Sequence, residues 1–168
     1  MQGDYMKKCL LSMLLFLLLP LLLMGCTVNI GRFTFNNFSV TKKKPNDFYY
    51  TNNLLKNLTL EKSLKITVLD TNFYKEEELS SEDIEIVKNF GKALSTKNFM
   101  QKPKDLPDKV AYKLFFTFNK EKYVINIYNE QYISVYPWDG TYPMDYIDMQ
   151  GIQPLYNIYS LCKYIIDN

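Results

Sequence analysis

The thirteen residues from Tyr136 to Asp148 hold the chain's single tryptophan, Trp138, together with Tyr136, Tyr142 and Tyr146 and the carboxylates Asp139, Asp145 and Asp148. Aromatic faces beside carboxylates are what a sugar ring or a cationic group uses, through stacking and charge. Pro137, Pro143 and the Asp139-Gly140 step predict a loop, and loops held by rigid scaffolds often carry binding sites. Tyr136, Trp138, Asp139, Tyr142, Asp145 and Tyr146 are therefore the candidate binding loop. The competing reading is structural, because tryptophan is a common core anchor and Asp-Gly an ordinary turn pair. Solvent exposure of Trp138 separates the two. A cation held by Asp139, Asp145 and Asp148 is less favoured, since their spacing matches no calcium loop.

Catalytic chemistry has little to work with. The chain has no histidine, so Ser-His-Asp and Cys-His machinery and the usual zinc sites are excluded, and no glycine-rich loop is present to cradle a phosphate. A carboxylate pair of the glycosidase type remains, with Asp139 and either Asp145 or Glu130 as nominal partners. Any small acidic domain offers such pairs. No catalytic residue, metal or cofactor is predicted, and the domain reads as a non-enzyme. Lys and Arg number 20 against 18 Asp and Glu, a balance that argues against nucleic acid as a partner.

A second reactive group stands at the end of the leader. Lys7 and Lys8 precede an apolar stretch from Leu10 to Met24 that only Ser12 and Pro20 interrupt. This is close to a secretory h-region, and short for a spanning helix, which needs about 20 apolar residues. Met6 is an alternative start, placing Met-Lys-Lys directly before the run. Leu23-Met24-Gly25-Cys26 closes the stretch and resembles the bacterial lipobox, with Met24 standing where a small residue is commoner. The resemblance implies that residues 1–25 are a signal peptide, that Leu23 and Gly25 are read by the signal peptidase, and that the Cys26 thiol carries a diacylglyceryl group. Two acyl chains give stable anchoring where one is marginal, at about 0.8 kcal/mol per buried methylene. The implied location is the extracytoplasmic face of the cell membrane, with the membrane itself a partner through the lipid on Cys26.

The elements that must position the aromatic loop can be read from periodicity. Residues 26–45 suit a tether, although Val28, Ile30, Phe33 and Phe35 are more apolar than a free linker needs, so that part of it could dock on the domain. Lys42, Lys43 and Lys44 before Pro45 read as a solvated charge run. From residue 46 the pattern is regular. A helix is predicted from about Asp47 to Leu58, capped by Asn46, with Tyr50, Leu54 and Leu58 at i+4 steps. Leu64, Ile66 and Val68 alternate as a strand. Ser80 or Ser81 then caps a helix with acids in its first turn, Lys92 and Lys97 near its end, and Ile84, Val87, Phe90 or Gly91, and Leu94 on one face. Pro103 and Pro107 exclude regular structure over most of 98–109. Val110 to Phe118, Tyr123 to Tyr128 and Gln131 to Tyr136 follow as three strands joined by short polar turns, an antiparallel meander. After Pro137 the chain reads as irregular until Pro154 opens a helix to Ile166, with Leu155, Ile158, Cys162 and Ile165 on one side. The fold class is α+β: a single domain over 46–168, with helices on one face of the meander. Once Cys9 leaves with the leader and Cys26 is lipidated, only Cys162 remains. No intramolecular disulfide can then form, and Cys162 reads as a small buried hydrophobe.

The stretch from Lys122-Tyr123-Val124-Ile125-Asn126-Ile127-Tyr128 to Tyr136-Pro137-Trp138-Asp139-Gly140, followed by Tyr156-Asn157-Ile158-Tyr159, resembles a family of uncharacterised lipoproteins of clostridia and similar low-GC Gram-positive bacteria. That resemblance implies an extracytoplasmic, lipid-anchored protein and brings no activity with it. Two functions are expected to compete. One is a non-enzymatic envelope module binding a protein, peptide or glycan through the Trp138 loop. The other is an envelope structural or assembly factor whose aromatics are core and whose contact surface is the sheet's uncovered face.

Overall fold

The computed structural model describes residues 43–61 and 63–168. The expected signal peptide with Leu23 and Gly25, the expected lipidation site Cys26 and the expected tether up to residue 42 lie outside the described residues.

Helix α1 (Tyr49–Leu60) buries Tyr50, Leu54 and Leu58, the i+4 stripe that its spacing predicts, along with Thr51. Its start differs from expectation. Asn46 does not cap the helix; its Oδ1 accepts from the Phe48 backbone N–H at 3.1 Å, and Phe48, which has no acceptor, holds the capping position. Strand β1 (Leu64–Asp70) turns Ile66, Val68 and Asp70 inward. A turn follows in which the Asp70 carboxylate accepts from the Asn72 and Phe73 backbone amides and Tyr74 takes φ +56°. β2 (Glu76–Glu78) returns antiparallel along β1, pairing Thr67 with Glu78 and Leu69 with Glu76.

Helix α2 (Ser81–Ala93) opens with a complete capping box: Ser80 Oγ accepts from the Asp83 amide and the Asp83 carboxylate accepts from the Ser80 amide. Each side chain satisfies an amide the helix leaves without a partner. The helix ends before Lys97, which lies in a separate 3₁₀ turn, Thr96–Asn98. Two-residue β3 (Phe99–Met100) precedes the Pro103 loop.

The meander is as predicted, with bounds shifted by one or two residues: β4 (Tyr112–Phe118), β5 (Lys122–Ile127) and β6 (Tyr132–Pro137) pair in sequence, all antiparallel. The segment after Pro137, expected to be irregular, contains a further strand, β7 (Asp145–Asp148), which pairs with β6 and with β3. A 3₁₀ turn at Pro154–Tyr156 leads to α3 (Ile158–Asp167), whose cap is Asn157, accepting from the Tyr159 and Ser160 amides. Leu155 therefore lies outside this helix and is exposed, while Ile158, Leu161, Cys162 and Ile166 form the buried face.

The seven strands form one antiparallel sheet in the order β2-β1-β4-β5-β6-β7-β3, so the fold is α+β. One face carries Ile66, Val68, Leu114, Phe116, Ile125, Ile127, Ile133, Val135 and Ile147, which pack with the buried stripes of the three described helices into one core. Phe116 is fully buried at its centre, a position where truncation to alanine costs about 3–5 kcal/mol. The other face meets no helix among the described residues and carries Thr67, Phe115, Val124, Asn126, Ser134, Tyr136 and Tyr146, as the period-two alternation requires, with Val124, Asn126 and Ser134 buried. Tyr132 on this face donates to the Asp105 carboxylate, so the Pro103 loop reaches over that end of the sheet. Among the described residues no helix is long and apolar enough to cross a membrane.

Candidate functional site: an aromatic cleft at Trp138

The turn after β6 is built onto the sheet. Trp138 donates its backbone N–H to Lys122 O at 2.9 Å, extending the β5–β6 ladder by one step, and Gly140 N–H reaches back to Pro137 O at 3.2 Å. Gly140 sits at a close approach, since a Cβ there would stand 3.1 Å from Tyr50 Oη and 3.2 Å from the Pro137 ring, contacts that only a small shift of these neighbours would relieve. The same Tyr50 hydroxyl accepts from the Tyr142 amide at 2.7 Å and donates to Tyr142 O at 3.3 Å. Tyr142 stacks edge-on against Tyr49, with ring centroids 5.5 Å apart. α1 thus clamps the far limb of the loop.

Between this loop, α1 and the β4–β5 turn lies an open cleft of about 450 Å³. Its walls include Tyr49, Tyr123, Tyr142 and Trp138, and its rim bears Lys120, Glu121, Lys122 and Asp139. Trp138 is 69% exposed. Glu121 Oε2 accepts from Tyr123 Oη at 2.8 Å and from Asn57 Nδ2 at 2.9 Å. Burial and the neighbouring Glu121 carboxylate push the Tyr123 hydroxyl well above the ordinary tyrosine range, so it remains a hydrogen-bond donor at any physiological pH. The rim charges balance, two lysines against two carboxylates.

The six residues predicted for a binding loop do not all share this surface. Trp138, Asp139 and Tyr142 border the cleft. Tyr136 and Tyr146 sit on strands, on the sheet's uncovered face. Asp145 is 0% exposed and is committed to the fold. Its Oδ2 accepts from the Thr51 backbone N–H at 2.7 Å and Thr51 Oγ1 at 2.8 Å. Its Oδ1 lies 2.5 Å from Lys44 Nζ, whose side chain is 13% exposed. Lys44 also donates to Met144 O at 3.1 Å and sits 5.6 Å from the Tyr50 ring centroid.

Thr51 is the third residue of α1, so Asp145 supplies, from a strand 94 residues away, the N-terminal acceptor that Phe48 lacks. An anion in that place also suits the helix dipole. Burial pushes the Asp145 carboxyl up from the ordinary aspartate range, and the Lys44 and Thr51 hydrogen bonds hold it back. Lys44 is accordingly no solvated member of a charge run; it closes a buried ion pair.

The carboxylates nominated for catalysis are also dispersed. Glu130 and Asp139 flank opposite ends of six-residue β6, roughly 20 Å apart at the strand rise, whereas paired glycosidase carboxylates stand about 5–10 Å apart. Among the described residues no group of three His, Cys, Asp or Glu side chains is placed to hold a metal ion. Cleft residues that sequence reasoning did not assign to a site include Tyr49, Asn53, Lys120, Glu121, Lys122 and Tyr123. Their only local signal is the polar turn Asn119 to Lys122, because the cleft forms by tertiary approach of α1 to that turn.

A solved structure similar to this chain is that of a "Putative Lipoprotein from Clostridium perfringens", at 35% sequence identity and a TM-score of 0.67, covering 74% of this chain and 99% of that chain. No protein with a curated description matches. From Lys44, the partner of Asp145, through Cys162 in α3, the chain matches the "Domain of unknown function (DUF4883)" over residues 44–162, and it belongs to that family.

Proposed function

We propose that the protein is a membrane-anchored bacterial lipoprotein, processed before Cys26 and held by lipid on that thiol at the extracytoplasmic face of the cell membrane. Its domain is a non-enzymatic module that binds an envelope glycan through the Trp138 cleft. The observation that carries the binding reading is the exposure of Trp138, a large apolar ring held out on a hydrogen-bonded turn beside other aromatic walls. A core anchor would be shielded. The lipoprotein reading is supported by the Leu23-to-Cys26 motif and by the similar clostridial protein, whose description names a lipoprotein.

A glycan fits better than a protein segment because the rim charges cancel and both sheet edges are poor templates for an added strand. β2 is three glutamates long and β3 only two residues. Stacking on aromatic walls and hydrogen bonding by Asn53 and Thr141 suit the alternating apolar and hydroxyl-bearing faces of sugars.

Mass spectrometry of the native protein tests the anchor: a chain beginning at diacylglyceryl-modified Cys26 is expected, and an unprocessed amino terminus refutes it. Iodide should quench Trp138 fluorescence readily, and bound N-acetylglucosamine oligomers should protect it. Trp138→Ala should weaken that binding at least tenfold while changing stability by no more than about 0.5 kcal/mol, the usual range for an exposed side chain. A second reading, an assembly factor that docks a protein, is favoured by the aromatic uncovered face with Tyr136 and Tyr146. Loss of a captured partner in Tyr146→Lys with sugar binding intact would support it.

A further inference from the structure

We infer that the ligand is a linear glycan long enough to cross Trp138 and occupy two clefts at once. This rests on the glycan-binding reading of the site. The second cleft is a groove of about 420 Å³ on the uncovered sheet face, lined by Thr67, Phe115, Thr117, Lys122, Val124 and Trp138, with Glu76 at its border. Lys122, Tyr123 and Trp138 border both spaces. The two are therefore neighbours, and the indole is a wall of each.

The pairing explains how one residue reaches both. Pro137 pairs with Tyr123, whose side chain is in the helix-side core, so the next residue turns to the other face. The Trp138 amide still hydrogen-bonds Lys122 O, which holds the indole at the sheet's end, where the helix-side cleft meets the uncovered face.

Each cleft alone falls in the lower half of the usual small-ligand range of about 300–1,000 Å³. A compact ligand would fill one and leave the other empty. A chain passing over the indole meets aromatic surface on both sides, Tyr49 and Tyr142 on one and Phe115 on the other. Thr67 and Thr117 offer hydroxyls on the second side, as Asn53 and Thr141 offer polar groups on the first. Lys122 borders both clefts, so the whole path carries two lysines, Lys120 and Lys122, against three carboxylates, Glu76, Glu121 and Asp139, a slight negative excess that disfavours an anionic polymer.

The test uses the full chain in detergent micelles and N-acetylglucosamine oligomers of one to six units, with binding followed calorimetrically and by Trp138 fluorescence. Affinity is expected to rise at least tenfold between two and five units and then level off. Thr117→Arg, at an exposed position, should block only the groove: long oligomers then bind no better than the dimer, whose own affinity is unchanged. Thr67→Arg gives the same result from a different strand should either variant misfold. Oligomers that bind with affinity independent of length, or long-oligomer binding untouched by both substitutions, overturn the two-cleft path while leaving glycan binding intact. No binding at any length overturns both. Comparable binding by an uncharged hexapeptide with no response to the sugars assigns the surface to peptide and overturns the proposal.

Discussion

Replacing Lys44 with methionine removes the counter-charge of a carboxylate that has no access to water. Asp145 keeps its two hydrogen bonds from Thr51, but an uncompensated buried charge typically costs 3–5 kcal/mol. The carboxylate limits that cost by taking up a proton. Its folded-state affinity for the proton is already raised by burial in the wild type, and loss of Lys44, which opposes that shift, raises it further. A carboxyl that holds its proton more tightly when folded contributes stability fully below about pH 4, its unfolded value, and loses it as pH climbs through the raised folded value. Lys44→Met should therefore be about 3 kcal/mol less stable than wild type at pH 7, roughly a 10 °C drop in Tm for a domain of this size. Between pH 4 and the new folded value its stability should fall by about 1.4 kcal/mol per pH unit. Asp145→Asn, which retains an acceptor for Thr51 and leaves Lys44 free to turn outward, should lose only about 1–2 kcal/mol. Combining the two substitutions should recover part of the Lys44→Met loss, because no buried charge is then left unpaired. Urea denaturation followed by circular dichroism from pH 4 to 8 measures all of this. A Lys44→Met protein with wild-type pH dependence, or a double variant whose loss equals the sum of the singles, would refute the buried pair and the cross-strand cap.

Other outcomes follow from local structure. Ser80→Ala removes the acceptor of the α2 capping box and should cost about 1 kcal/mol in urea denaturation. Asp83→Ala in the same background should add a further loss of about 0.5–1 kcal/mol, because its carboxylate still accepts from the residue-80 backbone amide at the helix N-terminus. Cys162 is fully buried and its thiol is pushed well above the ordinary cysteine range by burial. It should resist a thiol-directed reagent in the folded processed protein and react within minutes in denaturant. Rapid modification under native conditions would mean that α3 opens locally.

What could be read from the sequence is what local pattern encodes. Strict alternation from Tyr112 to Phe118, with polar turns on either side of β5, specified the meander, because a period of two with short connections permits little else. The i+4 stripe of α1 and the capping signals of α2 were equally local. β2 was invisible for the opposite reason: three consecutive glutamates carry no apolar alternation, and they form a strand only because β1 offers an edge. β7 was hidden by Pro143 before it and by an aspartate in the position where a core residue belongs. Asp145 occupies that position because its partners are Thr51 and Lys44, about a hundred residues away, and no spacing rule connects them. The same long-range pairing withdrew Asp145 from the binding loop to which its neighbours had assigned it. Trp138 and Asp139 depend only on the local turn, which leaves Trp138 exposed and both at the border of the cleft.

The borders of the sheet carry a consequence for crowding. Under the anchor proposed at Cys26 the chain meets its own copies in two dimensions, where encounters are frequent and orientations restricted, and an open strand border is the usual seed of runaway self-association. Here one border is a short row of like charges and the other ends after two residues. Because Glu77 and Glu78 of that row pair with Lys75 and Lys65, the shortness of both borders, more than charge repulsion, is what leaves neighbouring copies too few backbone groups to stitch into fibrils.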